Sequence, residues 1–483
     1  MQKLRLCKLL LWRNIMLRSK KAHNFSEWYS EVIQKAGLAE HSAVSGCLVY
    51  KPYAYAIWER IVAETDKKFK KIGIENCYFP LFIPKKLLEK EKAHVKGFDP
   101  EVAWVTEAGH HKLEEPLAIR PTSETIMYPS YAKWIRSWRD LPLRLNQWNN
   151  VIRWEFKHPT PFLRGREFLW NEGHTAFATE KESTAEKNQI LDIYSEITED
   201  FMAMPGIIVK KTESEKFPGA VATFTIEHMM PDFCSLQGPD FHLDGQNFSK
   251  AFNIQFLDEN GKKNYVWQNT WAISTREIGA LIAIHGDDLG LVLPPKIAPI
   301  QIVIIPIYDN NSRSKVLSEA KKLEKQLSAD FRTYLDDRDK YTPGWKFNEW
   351  EIKGVPLRIE IGPRDIAAKQ VTMARRDNQT KSVLKKANPK DIAKLLTAIQ
   401  NNLLKKAKDF VKAHYKSSKN YNELKKLVKD NFVEAGWCGL TGCEEKVKTD
   451  INAKLYILDR KASGKCIVCG KPAKYVVYVA KSY

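Results

Sequence analysis

Apolar and polar residues alternate through Val151, Ile152, Arg153, Trp154 and Glu155. A turn containing proline, lysine and arginine follows at residues 157–165, and a second short run at 166–170 closes the stretch. The pattern predicts an antiparallel hairpin with a long basic loop over residues 146–174. Arg153 and Glu155 stand two positions apart, so on a strand their side chains leave one face. A guanidinium fork grips phosphate oxygens in pairs, and a carboxylate accepts from an exocyclic amine. Phe168, on the returning strand, is placed to stack on a purine. Taken alone, the Arg-x-Glu pair fits a surface hairpin with a cross-strand ion pair better than a binding site.

The flanking patterns are helical and extended in turn. Ser26 precedes an apolar-periodic run and is a candidate helix cap. Residues 53–71 place Ile57, Ile61, Ala63 and Phe69 among charges, as in an amphipathic helix. A strand is expected over residues 77–82, with a turn at Pro84. Such a helix–strand pair, with Pro80 in the strand, suits either a core or a dimer seam. Residues 117–125 predict a short strand, a proline turn and a helix capped by Thr122 or Ser123. Glu124 then falls in the first turn, where the helix dipole favours a carboxylate. A helix over 191–204, a β-rich stretch over 209–225 turning at Gly219, and a polar loop over 237–250 holding His242 follow. Arg276 leads into the apolar run 278–284, which reads as a buried helix.

From residue 297 the pattern changes. Residues 302–307 form a buried strand, 312–328 an amphipathic helix, and 334–337 and 357–361 further strands. This alternation predicts a small α/β domain with a mixed sheet. Residues 385–429 are lysine-rich, with Leu395, Leu396, Ile399, Leu403 and Leu404 at helical spacing, and read as an amphipathic linker helix.

Composition narrows the class. A chain of 483 residues allows about three domains. Its 43% hydrophobic content supports a substantial core, and its net charge of +19 predicts attraction to a polyanion such as nucleic acid. Residues 1–22 are basic and free of acidic residues, and their apolar run is too short to span a bilayer. They suit a presequence or an over-long leader, with Met16 as an alternative start; a cytoplasmic protein is expected over a targeted one. Eight cysteines in so long a chain do not read as a disulfide framework. Cys438, Cys443, Cys466 and Cys469 form C-x4-C and C-x2-C pairs, the spacing of a tetrahedral four-thiolate zinc site that is structural because its shell is closed. Cys7, Cys47, Cys77 and Cys234 have no such pairing.

Three motifs, taken together, resemble a class II aminoacyl-tRNA synthetase. They are RPTSE at residues 120–124, RWE with FLWNEGH at 153–155 and 168–174, and STREIG at 274–279. The likeness is to the prolyl-tRNA synthetase family of the archaeal and eukaryotic type, from Phe25 to Tyr483. It implies an α+β fold: an antiparallel-sheet catalytic domain with helices (25–296), an α/β anticodon-binding domain (297–400) and a small zinc-binding α+β domain (401–483), after a basic extension (1–24). It also implies a homodimer through the catalytic domain, with L-proline, tRNA for proline, and ATP with Mg2+ as ligands.

The family's roles pass to matching residues. Arg153 would hold the α-phosphate and Glu155 the adenine amine, with Phe168 beneath the ring. Arg164 and Arg276 would hold the outer phosphates, and Gln237 is a further ATP contact. Arg153 and Arg276 are the catalytic pair. Thr122, Glu124, Arg153, Trp170, Glu172, His174 and His242 would line the proline pocket. Residues 344–365 resemble the family's anticodon reader, in which Glu351, Arg358 and Arg364 would meet guanine edges of unstacked loop RNA. The basic face of residues 385–429 is then a second candidate track for the tRNA backbone. The ending Lys481-Ser482-Tyr483 also resembles the family's, in which the terminal carboxylate approaches the active site.

The chain departs from the family in two places. Only residues 174–276 separate the second and third motifs, too few for the large editing insertion of bacterial-type relatives. Where the family reads Q-x-x-T-S-H, this chain has Gln237-Gly238-Pro239-Asp240-Phe241-His242, followed by the unusual Leu243 and Asp244. Asp240 is expected to join Glu124 near the substrate ammonium or to face solvent. A silent relative that binds tRNA and a ligase for another amino acid remain as alternatives; the intact Arg153, Glu155 and Arg276 favour the proline ligase.

Overall fold

The computed structural model describes residues 17–94, 101–155, 159–385 and 387–483. Most of the basic extension, with Cys7, lies outside them, as do Lys157 of the expected turn and Lys386 of the lysine-rich stretch. Helix α1 (Phe25–Lys35) is capped by Asn24, whose side chain accepts from the Glu27 amide; Ser26 sits inside the helix instead. Helix α2 (Pro52–Lys71) buries Ile57, Ile61 and Phe69 as its period demands, while Ala63 faces outward. The strand expected at 77–82 is replaced by two short ones, β1 (Glu75–Asn76) and β2 (Phe82–Pro84). Between them the Phe79 amide donates to the Gln147 side chain, and Pro80 has no N–H to offer a ladder. Strands β3 (Trp104–Ala108) and β4 (His111–Ile119) join β2 in a small antiparallel sheet. Helix α3 (Glu124–Trp134) follows, with Ser123 at its cap position; the Ser123 hydroxyl donates to Glu172 and makes no cap bond.

The organising hairpin is present. Strand β5 (Leu143–Ile152) pairs antiparallel with β6 (Glu167–Phe177), from Leu143 opposite Ala176 to Ile152 opposite Glu167. The ladder ends earlier than the alternation suggests. The Arg153 amide still donates to Arg166, but that of Trp154 donates to Glu101, which draws the chain off the sheet. Arg153 and Glu155 therefore share no strand face; they reach one cavity from the turn beyond it.

Helix α4 (Glu180–Ser195) begins well before residue 191, at a Thr179–Glu182 capping box, and continues into a π-helical turn, Glu196–Phe201. Strands β7 (Gly206–Lys210) and β8 (Ala222–Met229) flank the Gly219 turn. The polar loop expected over 237–250 is instead strand β9 (Cys234–Gly245) and helix α5 (Asn247–Phe252). Its glycines and proline mask a period of two, with Phe241 buried in the core and Asp240 and His242 facing a polar cavity. Strand β10 (Trp267–Ala272) and the buried helix α6 (Arg276–His285) complete this region.

The next unit is the expected mixed sheet. It holds β11 (Ile302–Pro306), α7 (Arg313–Leu327), β12 (Thr333–Leu335), α8 (Pro343–Ile352), β13 (Leu357–Ile361), α9 (Pro363–Ala367), β14 (Val371–Arg375) and β15 (Lys381–Leu384). The order is β12-β11-β13-β14-β15, parallel for the first three strands and antiparallel after them. The lysine-rich stretch is more than one helix. Helix α10 (Pro389–His414) buries Leu396, Ile399 and Leu403, and β16 (Tyr415–Ser417) and α11 (Tyr421–Leu427) follow it.

The C-terminal strands β17 (Phe432–Trp437), β18 (Lys454–Leu458) and β19 (Tyr475–Ser482), with helix α12 (Thr441–Ile451), do not form a detached module. They extend the catalytic sheet to eleven strands, ordered β16-β17-β19-β18-β7-β8-β9-β10-β6-β5-β1, and β19 also pairs in parallel with β9. No helix among the described residues is long and apolar enough to cross a membrane.

One close approach holds the sheet centre. A Cβ on Gly173 would lie 2.1 Å from the Trp271 ring, which is itself buried. Gly173→Ala is expected to cost about 2–3 kcal/mol through overpacking, seen as a lowered denaturant midpoint at unchanged slope. An unchanged midpoint would show that the sheet yields freely here.

Candidate active site

The pocket face of the sheet carries one row of facing residues. His174 of β6 lies opposite Thr270 of β10, Thr270 opposite His242 of β9, and His242 opposite Thr223 of β8. Helix α3 lies over this row and brings Glu124 to it. The cavity so formed is about 400 Å³. It is lined by every residue expected in the proline pocket: Thr122, Glu124, Arg153, Trp170, Glu172, His174 and His242. Glu155, Phe168, Gln237 and Arg276 line the same cavity. Arg164 is absent from its lining; one of its guanidinium nitrogens donates to the terminal carboxyl oxygen of Tyr483 at 3.1 Å.

At the acidic end, Glu172 is almost wholly enclosed. Its carboxylate accepts from the Ser123 amide and hydroxyl, Gln147 (2.9 Å), Asn149 (2.6 Å) and the Thr122 hydroxyl, and His174 Nε2 lies 3.2 Å away. Burial opposes ionisation, yet His174, Asn149 and Ser123 together hold the Glu172 carboxyl down at about 2. The same pairing raises the His174 pKa against the opposing effect of burial, with Glu124 helping. Tyr128 lies on the other ring nitrogen of His174 at 3.3 Å. Glu124 accepts from the Thr122 hydroxyl, and burial with the charge of Glu172 raises its pKa.

At the basic end, the Arg153 guanidinium lies over the rings of Phe168 (5.4 Å) and Trp170 (5.2 Å), and its Nε donates to the Pro121 carbonyl. The aromatic face expected to be open for a purine is thus shared with a cation. Arg276, at the start of α6, donates to the carbonyls of Leu163 and Gln237. Desolvation and the neighbouring Arg153 both lower its pKa. An anion between two guanidinia that face one cavity relieves their mutual repulsion.

The departures from the family pattern sort differently from expectation. Asp240 does not join Glu124. It accepts from the Gln237 side chain at 3.1 Å, lies 3.7 Å from His242 Nε2, and acts on the charge of Arg276. The second carboxyl beside Glu124 is Asp244, at a bulge in β9 between Leu243 and Gly245. Asp244 is fully buried beside Thr270, and burial with the Glu124 charge pushes its pKa well up. His242 is stacked on by Phe217 at 4.6 Å and bonded at Nδ1 to the Thr223 hydroxyl. Burial, with the nearby Arg153 charge, lowers its pKa despite Asp240.

Several lining or supporting residues escaped the sequence reading: Ser123, Gln147, Asn149, Lys211, Phe217 and Asp244. Gln147 and Asn149 were findable, since amides at alternate positions of one strand share a face. Phe217 lies outside every motif and reaches the cavity only through the fold.

In the next unit, Glu351 and Arg358 line one small recess, where Arg358 bonds to Glu360 and lies over Phe347 at 4.2 Å. Arg364 lies outside that recess, exposed on α9. Cys438, Cys443, Cys466 and Cys469 converge, all four sulfurs within 4.8 Å of one another. Burial opposes ionisation of Cys466, but the backbone amides of Cys469, Val468 and Cys438 bring it down to about 7.

The Glu172–His174 pair has a pH signature. A histidine raised above its ordinary 6.5 stabilises the fold fully below that value, and the gain fades as pH climbs through the raised pKa. The difference in denaturant midpoint between the wild type and His174→Gln is therefore expected to be largest at or below pH 6.5 and to shrink above the raised pKa. A difference that grows with pH would remove the ion pair.

Comparison with known proteins places this geometry. The tRNA synthetase class II core domain (G, H, P, S and T) matches residues 104–285, the anticodon binding domain 301–401, and the C-terminal domain of prolyl-tRNA synthetase 421–483. The proline–tRNA ligase of Natranaerobius thermophilus is 48% identical over 93% of this chain and 94% of its own. That of Alkaliphilus oremlandii is 49% identical over 95% and 96%. The crystal structure of prolyl-tRNA synthetase from Cryptosporidium parvum, complexed with halofuginone and AMPPNP, superposes with a TM-score of 0.92 at 44% identity, covering 97% of this chain and all of that one. Bacterial and eukaryotic relatives alike match nearly end to end, and the chain belongs to the prolyl-tRNA synthetase family of class II aminoacyl-tRNA ligases.

Proposed function

We propose that the chain activates L-proline with ATP and transfers the prolyl group to the 3′ end of tRNA for proline, without a cis-editing domain. The observation that carries the reading is the make-up of one cavity: two guanidinia, with Phe168 and Trp170 beneath one of them, and an acid–imidazole group. A small apolar ring bearing a secondary ammonium suits the acid–imidazole group, where Glu124 offers the negative charge. A triphosphate suits the guanidinia, with Arg153 at the α-phosphate and Arg276 at the outer ones. Phe168 and Glu155 flank the place left for adenine.

Activation needs no general base. A carboxylate oxygen of proline attacks the α-phosphorus, the bond to pyrophosphate breaks, and an acyl–phosphate bond forms. The chain's part is to hold the reactants in line and meet developing charge with Arg153. Mg2+ belongs to the ATP substrate complex, where it screens the phosphates. The relative in Cryptosporidium parvum was solved in complex with AMPPNP, which supports an adenine nucleotide as a ligand.

The test is proline-dependent ATP–pyrophosphate exchange, positive for the wild type. Arg153→Ala is expected to lower it about a thousandfold while leaving the protein folded, with a far smaller effect on the thermal midpoint, since among the described contacts that side chain gives up one hydrogen bond and its place over two rings. Exchange supported by another amino acid and not by proline would overturn the substrate; exchange with none would favour a silent tRNA-binding relative.

Glu351, Arg358 and Arg364 are the residues we assign to the anticodon. The +19 charge supports a salt-dependent hold on tRNA. A homodimer through the catalytic domain fits the exposed Tyr78 and, at the start of β2, Phe82; we place its action in the cytoplasm. The four-cysteine cluster fits structural Zn2+, because its sulfurs are close enough for one tetrahedral ion and close its shell. Protein purified without chelator is expected to carry about one zinc per chain, and chelation to loosen residues 431–483 first. Elemental analysis showing no metal would sink the assignment.

A further inference from the structure

The segment between β7 and β8 forms one wall of the cavity, yet the C-terminal helix holds it in place. Lys211, Glu215, Lys216, Phe217 and Pro218 line the cavity. On the far side of the segment stands α12, whose first turn carries Cys443 of the cysteine cluster and, next to it, Glu444. Glu444 is buried, and one of its oxygens accepts from the hydroxyls of both Thr212 (2.5 Å) and Ser214 (2.7 Å). Glu215 is held from the same side by Lys448 of α12 and by Lys454 of β18. Beyond these anchors the segment delivers Phe217 onto the His242 ring. The Thr223 hydroxyl accepts from the Phe217 amide and bonds the edge of the same imidazole. His242 is thus held on its edge by Thr223 of the facing strand and on its face by Phe217, which residues 212–217 deliver.

We propose that Glu444 is a positioning residue for the amino-acid pocket, through which the four-cysteine cluster fixes Phe217 on His242. The inference rests on the reading of that end of the cavity as the proline site. Hydroxyl–carboxylate bonds inside a buried interface are short and strong, so the clamp transmits displacement instead of absorbing it. The basic end is built from the turn after β5, from β6 and from the start of α6, none of which bonds to residues 212–217 among the described contacts. Loosening the clamp therefore separates the two substrates: the amino acid loses its wall and the nucleotide does not. Metal loss at the cluster acts by the same route, since Cys443 and Glu444 share the first turn of α12.

The experiment compares full-length wild type, Glu444→Ala and Glu444→Gln. Glu444→Ala is expected to raise the KM for proline about fivefold, with kcat and the KM for ATP within twofold of wild type. Amide hydrogen exchange over residues 212–218 should quicken while zinc content stays at the wild-type level. Glu444→Gln keeps an acceptor oxygen for both hydroxyls and should return the KM for proline to within about twofold. Partial chelation should quicken exchange over the same residues in the wild type. The proposal is overturned if Glu444→Ala leaves the proline KM and the 212–218 exchange unchanged, or if both substrates weaken equally. A wild type inactive with proline would defeat the substrate reading separately, with hydrogen exchange still testing the clamp.

Discussion

A carboxylate buried at the centre of the catalytic sheet constrains the rest of the structure. Glu172 can stay ionised there only because its neighbours supply donors from three directions: the start of α3, alternate amides of β5, and His174 two residues along its own strand. An isolated charge so placed would cost several kcal/mol. Each donor fixes an element. Ser123 leaves its own helix uncapped to reach Glu172, which sets where α3 begins and so where Glu124 stands. Gln147 binds Glu172 through its amide nitrogen and receives the Phe79 amide on its oxygen, which ties in the segment between β1 and β2. The network orients the pocket before any substrate arrives, so little ordering remains for binding to do.

Much of this was legible in the sequence, and the failures share a cause. The hairpin, the helices at 52–71 and 276–285, the mixed sheet after residue 297 and the cysteine cluster follow from local periodicity and spacing, which the fold respects. Every residue expected in the proline pocket does line one cavity. The misreadings fall where a polar face is buried. Strand β9 carries Asp240, His242 and Asp244 on its pocket side, so glycine, proline and charge disguised a strand as a loop. The end of β5 was overextended because Trp154 alternates correctly but bonds to Glu101 across the chain. Arg164, placed by its motif, donates to Tyr483 from far along the chain, a contact no motif announces. Long-range partners of that kind leave no local trace.

The continuity of the sheet explains why so small a C-terminal unit can matter to a distant site. Strand β19 lies between β17 and β18 and reaches β9 in parallel near its end. Behind that seam, Glu227 accepts from Lys211 and from Ser235, and Ser235 bonds to the Tyr478 hydroxyl. A cavity-lining lysine is thus linked by fully buried groups to the last strand of the chain. Two such routes, this one and the Glu444 clamp, leave the wall of the pocket little freedom of its own.

The charge balance of the pocket gives the substitutions in β9 a physical sense. Glu172 and His174 cancel as a pair, which leaves Glu124 to meet an ammonium. A second ionised acid behind Glu124 would overshoot that need, and burial together with the Glu124 charge pushes the Asp244 pKa up, which favours its neutral form. Asp240, the more conspicuous departure in the sequence, is occupied with Gln237 and His242 at the boundary between the two ends of the cavity. There it acts on Arg276 against the effect of Arg153. An ammonium arriving beside Glu124 favours its ionised form, and a phosphate arriving between the guanidinia relieves their repulsion. Each substrate therefore brings a charge opposite to the one that its end of the empty site presents.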